Sequence, residues 1–327
     1  MKVKKLLILS VLTILPVMLF SETISDLMTV ADNVSASQYV NNISSLSGIT
    51  AGSVYGSGGM IFGSLSPSLA ATGSVSIQMF KNLDIGFGVS TNQITISATF
   101  DPSAYQQQEY VALSEYLSYK VKLKMDVINF FFDAMKVSST IKYLSGQSTS
   151  LKTQTDVALL KAQYIYDMDM VEVLLNTKIK NFDFPPLNVP TLPGTYTQYQ
   201  QFEVPQQNSD LSFGTLMALS KNPSISLSFT YSWNQQPANN QPDLLDVQKS
   251  KYFNDMQILA QSVKSYDNQI SALFNEYSST YSNYLQGKSS ISEVNKISKQ
   301  ISDLGYERDQ FCIELLREYY LYEAISK

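Results

Sequence analysis

One stretch constrains this chain more than any other. In residues 224–233, Ile225, Leu227, Phe229, Tyr231 and Trp233 alternate with Ser226, Ser228, Thr230 and Ser232. Successive side chains of a β-strand point to opposite faces, so one face is wholly apolar and ends in aromatics, and the other is wholly hydroxyl. That is the pattern of a membrane-barrel strand, whose outer side meets lipid and whose aromatics sit at the interface. Ile94, Ile96, Ala98 and Phe100 alternate with Thr95, Ser97 and Thr99 in the same way. Val75, Ile77 and Met79 make a shorter version, as do Leu211 and Phe213. A soluble sandwich strand also alternates, so the strands alone leave both environments open. Two hairpins are expected, over 70–100 and 209–234, turning near Lys81-Asn82 and Ser220-Lys221-Asn222-Pro223. Four strands cannot close around a channel. The membrane reading therefore demands that several chains share one barrel.

Each strand region is followed by two long helical patterns, at about 104–143 and 150–180 and again at about 243–285 and 289–325. The helical hairpins thus span 101–183 and 235–327, joined through a Pro-rich linker over 184–208 that no helix would traverse. The turns repeat as well: Tyr143-Leu144-Ser145-Gly146-Gln147-Ser148-Thr149 and Tyr284-Leu285-Gln286-Gly287-Lys288-Ser289-Ser290 lie 141 residues apart. Glycine is expected to supply the left-handed helix end and the following Ser or Thr to cap the next helix. Order and turns together describe an internal duplication. In the second pair, Tyr252, Met256, Leu259, Val263, Tyr266, Ile270, Leu273, Tyr277, Thr280 and Tyr284 keep a 4-3 spacing. Val294, Ile297, Ile301, Leu304, Arg308, Phe311, Leu315, Glu318 and Tyr322 do the same, with Arg308 and Glu318 as polar interruptions. Such heptads pack two helices along a seam; they fix geometry, not purpose.

Met1 and three lysines precede an apolar run from Leu6 to Phe20. This basic n-region and 15-residue h-region read as a signal peptide over 1–21, too short to span a bilayer comfortably. Its removal takes the net charge from −5 to −8. An acidic chain without clustered Lys and Arg is a poor nucleic-acid binder. Residues 22–69 are Ser/Gly-rich, with one weak helical stretch near Ile24–Val40. The chain has no histidine and a single cysteine, Cys312, which removes the commonest general base and metal ligand and any internal disulfide framework. Asp156, Asp167, Asp169 and Glu172 share one helix without a second ligand set, and read as a solvated face. No catalytic, cofactor or metal site is expected; the chain does not read as an enzyme.

The order of these parts resembles the TolC-type outer-membrane efflux proteins. NPSISLSFTYSW (222–233) and SPSLAATGSVSIQM (66–79) are similar to that family's proline-led strands, and KMDVINFFFDAMKV (124–137) to its aromatic cluster in the helix after the first strand pair. Residues 287–325 are similar to its closing helix, which starts with Gly and ends Tyr-rich. The resemblance implies an α+β membrane protein in which duplicated β-hairpins and long antiparallel helical hairpins build a trimeric 12-stranded β-barrel continuing into an α-helical coiled-coil barrel. It implies a homotrimer in outer-membrane lipid with its helices in the periplasm. Such a trimer would be a passive export duct of an efflux or type I secretion system, served by a periplasmic adaptor and an inner-membrane pump. It implies tips that contact the adaptor, namely Leu144, Ser145, Gly146, Ser148 and Thr149 with Leu285, Gly287, Ser289 and Ser290. It also implies a pore-constricting carboxylate at Glu293. An ordinary solvated helix face accounts for Glu293 too, and Lys296 stands three positions on, where the family has a second carboxylate. Pro102 to Gly146 and Leu244 to Gly287 span only 44 and 43 residues, about 65 Å each as helix, short for the family. A non-conducting structural envelope or surface coiled-coil protein is the alternative, and a soluble secreted protein with a β-sandwich head is a third.

Overall fold

The computed structural model describes residues 21–46, 54–62, 67–80, 83–90, 93–100, 102–147, 150–199, 209–219, 224–233 and 244–326. Residues 1–20 of the expected signal peptide lie outside this set, and Ser21 opens the first strand. The elements run β1 (Ser21–Thr23), α1 (Ile24–Leu46), β2 (Val54–Phe62), β3 (Pro67–Phe80), β4 (Leu83–Ser90), β5 (Gln93–Phe100) and α2 (Pro102–Ser145). They continue as α3 (Leu151–Leu175), β6 (Asn181–Asp183), β7 (Ser209–Leu219), β8 (Ser224–Trp233), α4 (Leu244–Leu285) and α5 (Ile291–Ser326). Two compact units result, one of residues 1–34, 120–200 and 242–327, the other of 35–119 and 201–241.

The second unit holds a six-stranded antiparallel sheet in the order β2-β3-β4-β5-β7-β8. Its register carries the alternation across every strand. Val75 lies beside Phe87, Phe87 beside Ile96, Ile96 beside Met217 and Met217 beside Ile225. On the other face Ser76, Gly86, Ser97, Leu216 and Ser226 follow one another. A Cβ at Gly86 would come 2.5 Å from the Ser97 Oγ, so a larger residue there needs that hydroxyl to turn away.

The expectation of four strands is corrected to six, where the twelve-stranded trimer that the resemblance implies would have four in each chain. The first half carries two hairpins instead of one. In β2, VYGSGGMIF, glycines at 56, 58 and 59 stand where alternation would otherwise be read. Pro67 to Ala71 offers Leu69 as its one large apolar side chain, too little to mark a face. Lys81-Asn82 and Ser220-Lys221-Asn222-Pro223, where turns were foreseen, lie outside the described residues, as do 91–92; the antiparallel pairing of β3 with β4 and of β4 with β5 lies within them.

In the first unit, the apolar run of α2 buries Val127, Ile128, Phe131, Phe132 and Met135. Phe131 meets Phe132, Phe182 and Phe184 edge-on at ring-centre distances of 5.0 to 5.4 Å. Phe182 belongs to β6, which pairs parallel with β1, so the start of the described chain and the end of the first helical hairpin close over one aromatic cluster. Lys124, buried in α2, pairs with Asp32 of α1 at 2.8 Å. Helices α4 and α5 pack along the seam the heptads mark: Met256 and Val263 of α4 are fully buried, and Val294, Ile297, Leu315 and Tyr322 of α5 are buried. Arg308 does more than interrupt that seam. Its Nε donates to the Asp267 Oδ1 at 3.0 Å and its Nη1 to the Leu187 carbonyl at 2.8 Å, so it pins the Pro-rich linker to both helices.

Candidate functional site

Three places bear on function: the apolar sheet face, the two helical tips and Glu293. On the sheet, Phe87, Val89, Ile94, Phe100, Phe213 and Met217 are exposed, and Ile225 and Leu227 stand 67% and 80% exposed. Phe229, Tyr231 and Trp233 follow on the same strand face by register. A row of large apolar side chains left open across β4, β5, β7 and β8 is far more than scattered surface hydrophobics. Something apolar must cover it.

The two tips share a sequence but differ in backbone. Gly287 adopts φ +71°, and its N–H bonds back to the Tyr284 carbonyl; here glycine supplies the left-handed end, as expected. Gly146 has no positive φ. Its N–H reaches the Tyr143 carbonyl at 3.1 Å and that of Gln147 the Leu144 carbonyl at 3.1 Å, so α2 ends by tightening into 3₁₀-type bonds. The caps differ too. Ser150 accepts from the Thr153 N–H and starts α3, one position beyond the expected pair, of which Ser148 and Thr149 lie outside the described residues. Ser290 caps α5, and Ser289 donates to the Thr280 carbonyl at 2.9 Å.

Nor do the tips lie level. Helices α2 and α5 run antiparallel: Arg317 bonds Asp133, Lys136 bonds Glu314, Gln310 bonds Ser139 and the Tyr143 hydroxyl bonds Asp303 at 2.8 Å. Tyr143 and Tyr306 stack with centres 4.1 Å apart. The Asp303 bond raises the Tyr143 phenol above its ordinary range, with burial adding to it. Asp303 lies 16 residues past Gly287, and Gly146 only three past Tyr143. The second tip therefore extends beyond the first by about 13 residues, or ~20 Å of helix. Leu144, Ser145 and Gly146 are thus not brought together with Leu285, Gly287, Ser289 and Ser290. Over the extension Phe274, Tyr281, Tyr284, Leu285 and Ile291 are exposed.

Glu293 closes a capping box. Its Oε2 accepts the Ser290 N–H at 2.9 Å while the Glu293 N–H reaches the Ser290 Oγ at 3.3 Å. Among the described ion pairs none joins Lys296 to it. Beside the first tip, an open groove of about 750 Å³ runs between the end of α2 and the first half of α5, lined by Lys142, Gly146, Lys299, Ser302 and Gly305 among others. Sequence reasoning missed this groove because its walls come from segments some 160 residues apart.

The carboxylates expected on a solvated face part company. Asp167 is buried; Gln163 donates to its Oδ1 at 2.8 Å, its Oδ2 has no partner, and burial pushes its carboxyl up. Glu172 accepts from Lys178 and from the Ile179 N–H, each at 2.8 Å, and is held below the usual range by them. Among the described residues no group of three or more His, Cys, Asp or Glu could hold a metal ion, and no helix is long and apolar enough to cross a membrane. Cys312 is buried and its thiol pushed up by burial.

No family model matches the chain, and no curated protein does. Among solved structures it is similar to the outer-membrane channel OprN, with a TM-score of 0.46 and 8% identity over 92% of this chain and 89% of that one. It is similar to the outer membrane protein VceC from Vibrio cholerae, with a TM-score of 0.42 and 8% identity over 92% and 94% of the two chains. The Neisseria gonorrhoeae MtrE outer membrane channel in its open state gives a TM-score of 0.40 and 10% identity over 92% and 88%. All three are outer-membrane proteins.

Proposed function

We propose that this chain is a subunit of an oligomeric, TolC-like outer-membrane efflux channel, a passive duct served by a periplasmic adaptor and an inner-membrane pump. One observation carries the reading: the apolar face stands exposed across β4, β5, β7 and β8, with Ile225 and Leu227 its most open residues, while Thr95, Ser97 and Thr99 stand on the opposite face beside Leu216. Lipid on one side and water on the other satisfies both. The sheet's edges support the oligomer. Strands β2 and β8 each have one neighbour, and an open edge invites pairing. With six antiparallel strands per chain, β8 of one copy would run antiparallel to β2 of the next, so a ring of copies closes without a parallel seam. The homotrimer is our preferred stoichiometry; it would close with 18 strands. In this reading the helical tips face the periplasm and meet the adaptor, and Glu293 is the candidate for a ring of charge at the pore.

The test is purification in detergent, followed by mass measurement and planar-bilayer recording. A trimer that conducts is expected; a monomer that forms no pores overturns the reading. Outer-membrane association without conductance is the outcome of the structural envelope alternative. Leu227→Arg is expected to block membrane assembly, at ~2–4 kcal/mol for a site near mid-bilayer.

A further inference from the structure

Helix α5 meets α2 through one stripe. Asp303, Tyr306, Gln310, Glu314 and Arg317 follow at steps of three and four, the spacing of one helix face. Because α2 stops at the first tip, the same stripe continues toward the second tip with no helix beside it among the described residues. Its continuation reads Lys299, then Asn295 and Lys296, all exposed. The open groove of about 750 Å³ marks the upper end of this vacant lane.

The chemistry left over in the lane is positive. Lysines outnumber the carboxylates along it: Asp309 is paired with Arg308, Asp303 accepts from the neutral Tyr143 hydroxyl, and Glu293 caps the start of α5. Lys142, Lys296 and Lys299 make no ion pair among the described residues. Higher up the same stripe, α2 answers each charge with its opposite: Lys136 faces Glu314 and Asp133 faces Arg317. A backbone can come close, since a Cβ at Gly305 would meet nothing within 4 Å. The offset between the tips leaves room for about 13 residues of helix, between three and four turns.

We infer that this lane takes an acidic α-helical segment of a partner protein, lying where α2 would have continued and held by Lys142, Lys296 and Lys299. The two tips then do different work: the first is a stop against which the incoming helix ends, and only the second reaches past it. The inference rests on the reading of this end as the partner-binding end, and it gives that partner its charge.

The experiment uses the full chain in detergent and two helix-stabilised synthetic peptides of about 14 residues. One carries Glu along a single face; the other carries Lys at the same positions. Fluorescence anisotropy at low salt is expected to show the Glu peptide binding at least about tenfold more tightly, with the preference fading as salt screens it. Lys142→Glu with Lys299→Glu is expected to invert the preference; both side chains are exposed, so the fold does not depend on them. Gly305→Leu leaves every charge in place and fills the groove, and is expected to weaken the Glu peptide by about tenfold. Equal binding of the two peptides, including binding of neither, overturns the inference, as does a double variant with unchanged preference. Mass and conductance of the same preparation separate the two readings, because the lane lies within one chain. A non-conducting monomer that still prefers the Glu peptide ends the channel reading alone, whereas a conducting oligomer indifferent to peptide charge ends the lane alone.

Discussion

Glu293 supports a helix end whatever else it does. Its carboxylate satisfies the Ser290 N–H, and Gln can make the same bond where Ala cannot. Glu293→Gln is therefore expected to keep the melting temperature, while Glu293→Ala costs about 0.5–1 kcal/mol. If three such carboxylates also ring a pore, Glu293→Gln lowers cation preference in bilayer recordings without touching stability, and unchanged selectivity removes the pore role. A second pair titrates at both ends of the pH scale. The Tyr196 hydroxyl and the Tyr199 N–H donate to Asp246 and lower its pKa, the hydroxyl first. Burial, then the Asp246 bond, pushes Tyr196 up to about 12. Stability from the lowered carboxyl is present above its unfolded value and lost as pH falls through the folded one. Stability from the raised phenol is full below its unfolded value near 10 and lost as pH rises toward about 12. Tyr196→Phe is expected to flatten both limbs in denaturant melts followed across pH, and to cost about 1–2 kcal/mol at neutral pH. None of this was legible beforehand: Tyr196 and Asp246 are 50 residues apart, and nothing in either neighbourhood names the other. The Ser290-to-Glu293 box was legible, because its partners are three residues apart, but Ser290 was read as a cap and Glu293 as a pore carboxylate or a solvated helix face, with no bond between them.

At the scale of elements, the duplicated turns show what spacing can and cannot carry. The strings at 143–149 and 284–290 located both hairpins, because Gly and Ser end and begin helices by local rules. They hid the inequivalence, because the sign of φ at each glycine and the level of each tip depend on partners elsewhere. Gly287→Ala, at φ +71°, is expected to cost about 1–2 kcal/mol, and Gly146→Ala close to nothing, by thermal melts of the two variants. The seam was legible in its spacing, since a 4-3 pattern needs only the sequence, but not in its depth: Leu273 and Tyr277 are half-buried and Tyr284 is exposed. Met256 and Val263 are indeed 0% exposed. Met256→Ala is expected to cost about 2–5 kcal/mol, measured by denaturant unfolding. Arg308 was readable as an interruption of that seam but not as the anchor of Leu187, which lies 121 residues away.

For the whole molecule, the strand pattern was decisive where side chains alternate and mute where glycine replaces them, which is why β8 was read at full length and β2 was not read as a strand. The same asymmetry applies to the helices' outer faces. Heptads explain the seam but leave Leu159, Val173 and Ile258 exposed on the single chain, Ile258 at 61%. Isolated apolar side chains on a surface need no explanation; a series along helices that are proposed to stand side by side in a ring does. If neighbouring copies cover them, access must change on assembly while the protruding tip stays open. Single cysteines at positions 258, 173 and 285 test this directly, because the native thiol at Cys312 is buried and stays silent. Maleimide labelling of Ile258→Cys and Val173→Cys is expected to slow by at least about tenfold on going from dissociated to assembled protein in detergent. Leu285→Cys, on the second tip, is expected to label at the same rate in both states. Equal rates at all three positions would mean that the helices stand apart, and no tunnel wall could then be built from them.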